Sequence, residues 1–318
     1  MLDRIAESLY WIGRYTERAE NHARLLDVFY HLREDGDTGE ESVWKRMVES
    51  IGDTALYERK FGEYREKEVL FFLTIDSELN NSLLRCVAQA RDNLKKIREQ
   101  LPAELWSLLN GFYLWLRNVK PAEIVEESPH RLFQKVKDGL AAFQGTARSI
   151  TPRDELWHMM EAGRHLERSE NVIRLLQSVR AALPEPGSAS YGYTMAMLKS
   201  VGGTEAFRRL DIGEAGLEEV SRFLILQDTF PRSVHYSLTR FERHLQALRL
   251  PGARSGSGGI DRMLRMAGKV RSELGYLDRG DVTLDNLDPM LRQLSASSRQ
   301  LEDLMARTFF FPGREVTA

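Results

Sequence analysis

Cysteine is nearly missing from the 318 residues: Cys86 stands alone, which excludes an internal disulfide and any multi-cysteine metal site or cluster. Long apolar runs are missing too. No window reaches the roughly 18 uninterrupted apolar residues of a bilayer-crossing helix, so no membrane partner is expected. Proline occurs only ten times and no long alternating Val/Ile/Thr segment occurs, which removes the usual material of a sheet. Neither sign of charge dominates. With 45 Lys and Arg against 47 Asp and Glu the net charge is -2, so no long-range field draws nucleic acid, and no nucleic-acid partner is expected. The opening Met1-Leu2-Asp3-Arg4 is charged from Asp3 and lacks the apolar core of a signal peptide. With a lone thiol, the expected setting is a reducing cytoplasm.

What is present is helical material: 42% hydrophobic and 29% charged residues, with Leu, Ala, Glu and Arg abundant. An all-α fold follows, and the length permits two domains of about 150 residues each. Laid on itself with a shift of 150, the chain puts Gly13-Arg14-Tyr15-Thr16-Glu17-Arg18-Ala19-Glu20-Asn21-His22-Ala23-Arg24-Leu25-Leu26 over Gly163-Arg164-His165-Leu166-Glu167-Arg168-Ser169-Glu170-Asn171-Val172-Ile173-Arg174-Leu175-Leu176, identical at nine of fourteen positions. Such self-similarity marks a structural repeat. The same shift pairs Met47, Ser50, Gly52, Thr54 and Arg59 with Met197, Ser200, Gly202, Thr204 and Arg209; further on, Asp76–Ser82 resembles Asp228–Ser233 with one residue dropped.

Two homologous helical repeats are therefore expected, residues 1–150 and 151–318, packed as a pseudo-twofold bundle. Thr151-Pro152-Arg153-Asp154 reads as the opening of the second copy, with Thr151 as N-cap and Pro152 at the first helical position. Breaks are expected at 34–39, 183–188 and 251–259, where helix-breaking residues gather. About five helices per half are expected. The later ones fall in 69–100, 104–118 and 127–147, and in 217–249, 260–276 and 285–309.

At 100° per residue, Ile5, Leu9, Ile12, Ala19, Ala23 and Leu26 share one arc of the first motif helix, as do Met159, Ala162, Ile173 and Leu176 of the second. The opposite arc carries Arg14, Glu17, Arg18, Glu20, Asn21 and Arg24, repeated as Arg164, Glu167, Arg168, Glu170, Asn171 and Arg174. A merely solvated face would drift in residue type. Identity in both copies implies that side-chain shape matters, and Tyr10, Met160 and Val28 near the ends of the arc suggest a partly enclosed stripe. Every cation on it is Arg, whose planar fork grips a carboxylate as Lys cannot.

Two readings stand side by side. In one, Glu17 and Arg18 pair with Arg168 and Glu167 and dock the halves. In the other, the stripe lines a cleft, where Arg14, Arg18, Glu20, Asn21, Arg24, Arg164, Arg168, Glu170, Asn171 and Arg174 bind a carboxylate-bearing substrate and Glu17 or Glu167 accepts a proton.

Other signals are weaker. The Glu17/Glu20 and Glu167/Glu170 pairs lack the histidine of a bundle di-iron site and sit among arginines, so neither metal nor other cofactor is expected there. His158, Glu161 and His165 share a helical face, but their counterparts are Ser8, Trp11 and Tyr15, so they read as surface or hydrogen-bonded groups. Ser255–Gly259 lacks the Gly-Lys-Ser/Thr ending of a nucleotide loop and reads as a linker before a helix starting near Asp261. Cys86 reads as a buried thiol.

The run from Met1 to Asn21, with Glu17-Arg18 matched by Glu167-Arg168 and Asn21 by Asn171, resembles the alpha-E family of bacterial helical proteins, named for a Glu-Arg motif in tandem. The resemblance spans essentially the whole chain. It implies a genomic setting beside, or fused to, circularly permuted ATP-grasp proteins, transglutaminase-like proteins and peptidases of the Ntn-hydrolase type. From that setting comes the expectation of a part in making or modifying a peptide, with the ATP-grasp ligase as partner. Whether the helical protein does chemistry, presents a substrate or acts as a noncatalytic scaffold stays open.

Overall fold

A computed structural model describes residues 3–32, 40–126, 128–182, 191–210, 213, 215–249 and 257–311, and among them no strand occurs. The helices are α1 (Asp3–Leu32), α2 (Glu40–Ile51), α3 (Thr54–Lys60), α4 (Glu66–Thr74), α5 (Leu83–Lys96), α6 (Ala103–Arg117), α7 (Pro121–Glu126), α8 (Pro129–Ile150), α9 (Glu155–Ala182), α10 (Tyr191–Ser200), α11 (Thr204–Arg208), α12 (Leu217–Leu226), α13 (Val234–Leu248), α14 (Ser257–Tyr276) and α15 (Leu284–Met305). A π-helical turn, Ala306–Phe310, follows α15.

The two motif helices, α1 and α9, pack against each other at the centre. Around them, α1 also meets α5, α8 and α10, and α9 meets α13, α15 and α2. Each long helix thus touches the second helix of the other half. The expected apolar arcs are buried, with Leu9, Ile12, Ala19, Ala23 and Leu26 on α1 and Met159, Ala162, Ile173 and Leu176 on α9 all almost wholly removed from water. The polar arcs are enclosed as well, which is why these helices show little amphipathic contrast.

Two glycines let the backbones meet. A Cβ on Gly13 would overlap the Met160 carbonyl oxygen, and one on Gly163 would overlap that of Tyr10. Only hydrogen fits at either place, so the helices cross at backbone contact and bring the flanking Arg and Glu side chains within reach of each other.

Boundaries differ from the sequence expectation in four places. Thr151 ends α8 by sending its N–H to the Ala147 carbonyl, and α9 opens at Glu155 under Asp154, whose carboxylate accepts from the N–H groups of Leu156 and Trp157. Asp154 is therefore the cap, three residues beyond the expected Thr151, the extra residues being needed to turn the chain. The spans 69–100 and 217–249 are each broken, into α4/α5 and α12/α13, because Ser82 and Ser233 cap new helices after a loop. Ser257-Gly258-Gly259 belongs to the first turn of α14 instead of a linker. There Gly259 lies against Thr308, where a Cβ would come within 2.8 Å of the hydroxyl. The expected breaks at 34–39, 183–188 and 251–256 lie outside the described residues.

Candidate functional site

The crossing of α1 and α9 assembles the repeated polar arcs into one ion-pair network. Arg168 donates from Nε and Nη2 to the two oxygens of Glu17 at 2.9 and 2.7 Å, and Arg18 does the same to Glu167 at 2.8 Å for both contacts. Both carboxylates are fully buried. Burial alone would raise the Glu17 pKa, but Arg168 and Arg232 outweigh it and hold the group at about 2. Glu167 is likewise held well below the carboxylate range, burial being opposed by Arg14, Arg18 and Arg174.

Beyond this shared core the two ends diverge. On the Glu17 side, Arg232 from the α12–α13 loop reaches Glu17 at 2.9 Å and Glu20 at 2.5 Å. Arg24 and Gln144 complete Glu20 at 2.9 and 3.0 Å. Every guanidinium here is spent within the protein.

On the Glu167 side, Arg14 crosses over. Its Nε lies 2.6 Å from Glu167, an electrostatic contact since the N–H is not aimed at the oxygen, and its terminal nitrogens grip Glu170 at 3.2 and 2.8 Å. Arg174 donates to Glu167 at 2.9 Å and to the Asn171 side-chain oxygen at 2.6 Å, yet remains 43% exposed. Arg164, the counterpart of Arg14, does not cross; it turns back to Glu161 on its own helix. Eleven of the twelve expected residues thus gather at the crossing, with Asn21 on the wall of a small cavity shared with His22, Asn81, Asn171 and Arg174, and Arg164 alone diverges.

The Glu167 end opens into a cleft of about 440 Å³ lined by Arg14, Arg18, Glu170, Arg174, Arg299 and Glu302, with Gln177 and Ser295 beside them. Arg174 also lines the 210 Å³ cavity at Asn21 and Asn171 and a neighbouring 550 Å³ groove with Lys45, Arg46 and Glu49. One side chain therefore stands where three hollows meet. Four guanidiniums face the cleft against the carboxylates of Glu170, Glu302 and the underlying Glu167, leaving one positive charge unmatched among the described residues. Arg299 is exposed and makes no ion pair among the described residues. Glu170 differs from the two motif glutamates. Its pKa is raised, by burial first, with Arg14 only partly offsetting it.

Arg232, Arg299 and Glu302 were not foreseen. Arg232 had a faint signal, since aligning Asp228–Ser233 with Asp76–Ser82 from the shared serine puts it over Asn81. Arg299 and Glu302 lie on α15, outside the repeated motif. Cys86 is buried and its thiol is pushed up to about 12 by burial, as expected of an inert thiol.

Within the described residues no helix is long and apolar enough to cross a membrane. No solved structure matches the chain. Among curated proteins it is similar to uncharacterized proteins of Mycobacterium bovis and Mycobacterium tuberculosis, each 26% identical over an alignment 330 positions long that covers 96% of this chain and 36% of the relative. It therefore spans little more than a third of their length. The model of the Alpha-E family, a predicted alpha-helical domain with a conserved ER motif, matches residues 1–310, and the chain belongs to that family.

Proposed function

We propose that the chain is a ligand-binding module whose cleft at the Glu167 end holds a carboxylate-bearing amino acid or peptide, for use by an ATP-grasp ligase that forms or modifies an amide bond. The observation that carries this reading is the unmatched guanidinium charge around Arg174 and Arg299 in a cleft of amino-acid to dipeptide size. Planar guanidiniums recognise a carboxylate through paired hydrogen bonds, and the floor of Arg14 and Arg18 is already held rigid by Glu167 and Glu170. The ligase, and with it the transglutaminase-like and Ntn-hydrolase partners and a cytoplasmic setting, comes from the family resemblance alone.

In this reading residues 1–150 and 151–318 are the two repeats, related by a pseudo-twofold axis between α1 and α9. Its support is the reciprocity of contacts: Gly13 against Met160 and Gly163 against Tyr10, Glu17 with Arg168 and Glu167 with Arg18. Glu17 and Glu167 then serve as docking groups that fix the arginines. Each is saturated by arginines and would have to shed one to accept a proton. If a proton is moved in the cleft, Glu170 is the group placed for it, being partly open and held toward its neutral form.

Calorimetric titration of the protein with free amino acids and short acidic peptides tests the reading. We expect saturable binding that Arg299→Gln weakens about tenfold or more, the worth of one hydrogen bond to a charged group. Absence of binding by all of them, or binding indifferent to Arg299 and Arg174, would remove its basis.

The noncatalytic scaffold is favoured by a different observation, the complete burial of both motif glutamates. In that version the network only docks the halves, and an outer surface holds the ligase.

A further inference from the structure

A second polar cluster lies at the seam of α9 and α13, on the side where Arg164 turns away from the network. His158, Glu161 and His165 stand on one face of α9, as the spacing anticipated, but the structure adds His244 from α13 and shows that the group is largely inside the protein. Glu161 and His165 are buried and His244 is half-buried. Of the two expectations, surface or hydrogen-bonded groups, the structure shows the second for His158, while packing α13 onto this face encloses Glu161 and His165.

Three features are unusual for a structural cluster. Glu161, His165 and His244 each present a ligand atom, and the three atoms lie within 4.8 Å of one another. His165 is 4% exposed, its Nε2 lies 3.8 Å from Glu161 Oε2 and its Nδ1 has no hydrogen-bond partner, so the ring is not tied by a hydrogen bond among the described residues. His244 is steadied by a 2.9 Å contact between its Nδ1 and that of His158, one ring donating and the other accepting. The fold does not demand these groups either. At the matching positions the first copy has Ser8, Trp11 and Tyr15 on α1, and Asn93 on α5.

We propose that Glu161, His165 and His244 bind one divalent transition-metal ion, with zinc as its natural occupant and water in the remaining position. Two imidazoles and one carboxylate are a donor set that zinc accepts, whereas magnesium and calcium require oxygen. Ligand atoms around a tetrahedral zinc at about 2.0–2.1 Å sit roughly 3.3 Å apart. The 3.8 Å between Glu161 Oε2 and His165 Nε2 needs only a small closure.

The imidazoles are ready for a metal because both are held neutral, first by burial and then by surrounding cations; His244 is lowered to about 3. Arg148, Arg164 and Arg168 are those cations on the inner side, with Arg240 beside His244. They disfavour an ion bound by charge alone and leave the nitrogen donors to decide affinity. Arg164 holds Glu161 through Oε2, the same oxygen that lies nearest His165 Nε2, so on metal binding the guanidinium shifts its hold to the other oxygen. His158 becomes the outer partner that orients a ligating ring.

A different group of possible ligands, Asp27, His31 and His130, is the natural competitor. Its histidines are exposed, and Asp27 is occupied by Lys137 at 2.7 Å.

Untagged protein stripped with a chelator and titrated with zinc chloride, and with cobalt(II) as the visible probe, tests the site. We expect one equivalent per chain, a rise in melting temperature, and ligand-field absorption from nitrogen coordination. His244→Asn, which restores the residue of the first copy at a half-buried place, should weaken binding tenfold or more. His165→Tyr should do the same, and His130→Ala should change nothing. No stoichiometric uptake by the parent protein, uptake that survives both replacements, or uptake abolished by His130→Ala would each overturn the proposal. Binding of amino acids in the cleft at Arg299 is read in separate titrations, so failure of either site is seen by itself.

Discussion

The Glu17 end and the Glu167 end of the network are built from the same fourteen-residue motif, yet one is sealed and the other faces a cleft. The seal is Arg232, whose guanidinium closes over Glu17 and Glu20. Its counterpart Asn81 is too short for that, and its amide is spent on the Ile51 carbonyl. The difference teaches that the repeat supplies a scaffold of paired charges, while residues outside it decide which end has guanidiniums facing a cleft.

The largest effect expected from breaking this comparison is at the sealed end. Arg168→Ala leaves the buried Glu17 with Arg232 alone, and loss of one partner of a buried pair costs up to about 3–5 kcal/mol. Chemical denaturation should show that loss, and a smaller one for Arg18→Ala, because Arg14 and Arg174 remain on Glu167. Equal losses would mean that the two ends are energetically alike.

Converting the seal into its counterpart, Arg232→Asn, should cost about 1.5–3 kcal/mol, the range for hydrogen bonds to charged groups, and should let a carboxylate ligand compete for the opened end. A neutral result in both stability and binding would show that Arg232 is not what distinguishes the ends.

Acid sharpens the comparison through signs. The folded pKa of Glu17 is depressed to about 2 from 4.5, so its contribution is present above pH 4.5 and fades as pH falls toward 2. That of Glu170 is raised, so the folded state takes up its proton first and gains, relative to neutral pH, on acidification. Glu17→Gln should flatten the acid limb of the stability curve, by at most about 1.4 kcal/mol per pH unit, and Glu170→Gln should steepen it. The reverse pattern would contradict the assignment of the two glutamates.

The smallest stability effect belongs to Arg299→Gln, within about 0.5 kcal/mol for an exposed side chain without an ion-pair partner among the described residues, even though the same change should weaken ligand binding. Thermal melting beside the ligand titration separates the two. A marked drop in melting temperature would place Arg299 in the structural network instead.

Much of this was legible in advance. Identical Glu, Arg, Glu, Asn and Arg in two helices left two readings, pairing between them or the lining of a cleft, and the Glu17–Arg168 and Glu167–Arg18 contacts are the ones the pairing reading named. The Gly13 and Gly163 matches were visible as identities, but their purpose was not, since only the crossing shows each beneath a carbonyl of the other helix. Arg164 was expected to mirror Arg14 and does not, because Glu161 lies one turn before it where the first copy has Trp11. His165 and His244 are 79 positions apart and share no motif, so only the docking of α13 on α9 brings their rings to 5.5 Å.

By itself, then, the order of residues determined the helices, their duplication and the set of charges that must be enclosed together. Local pattern suffices for these, since helical period and repeated identity are properties of neighbouring positions. Which charges are neutralised and which are left facing a cleft was decided only in three dimensions. Arg232, Arg299 and His244 reach the motif helices from distant segments, and a guanidinium or imidazole acquires its role from whatever lies within a few ångströms of it after packing.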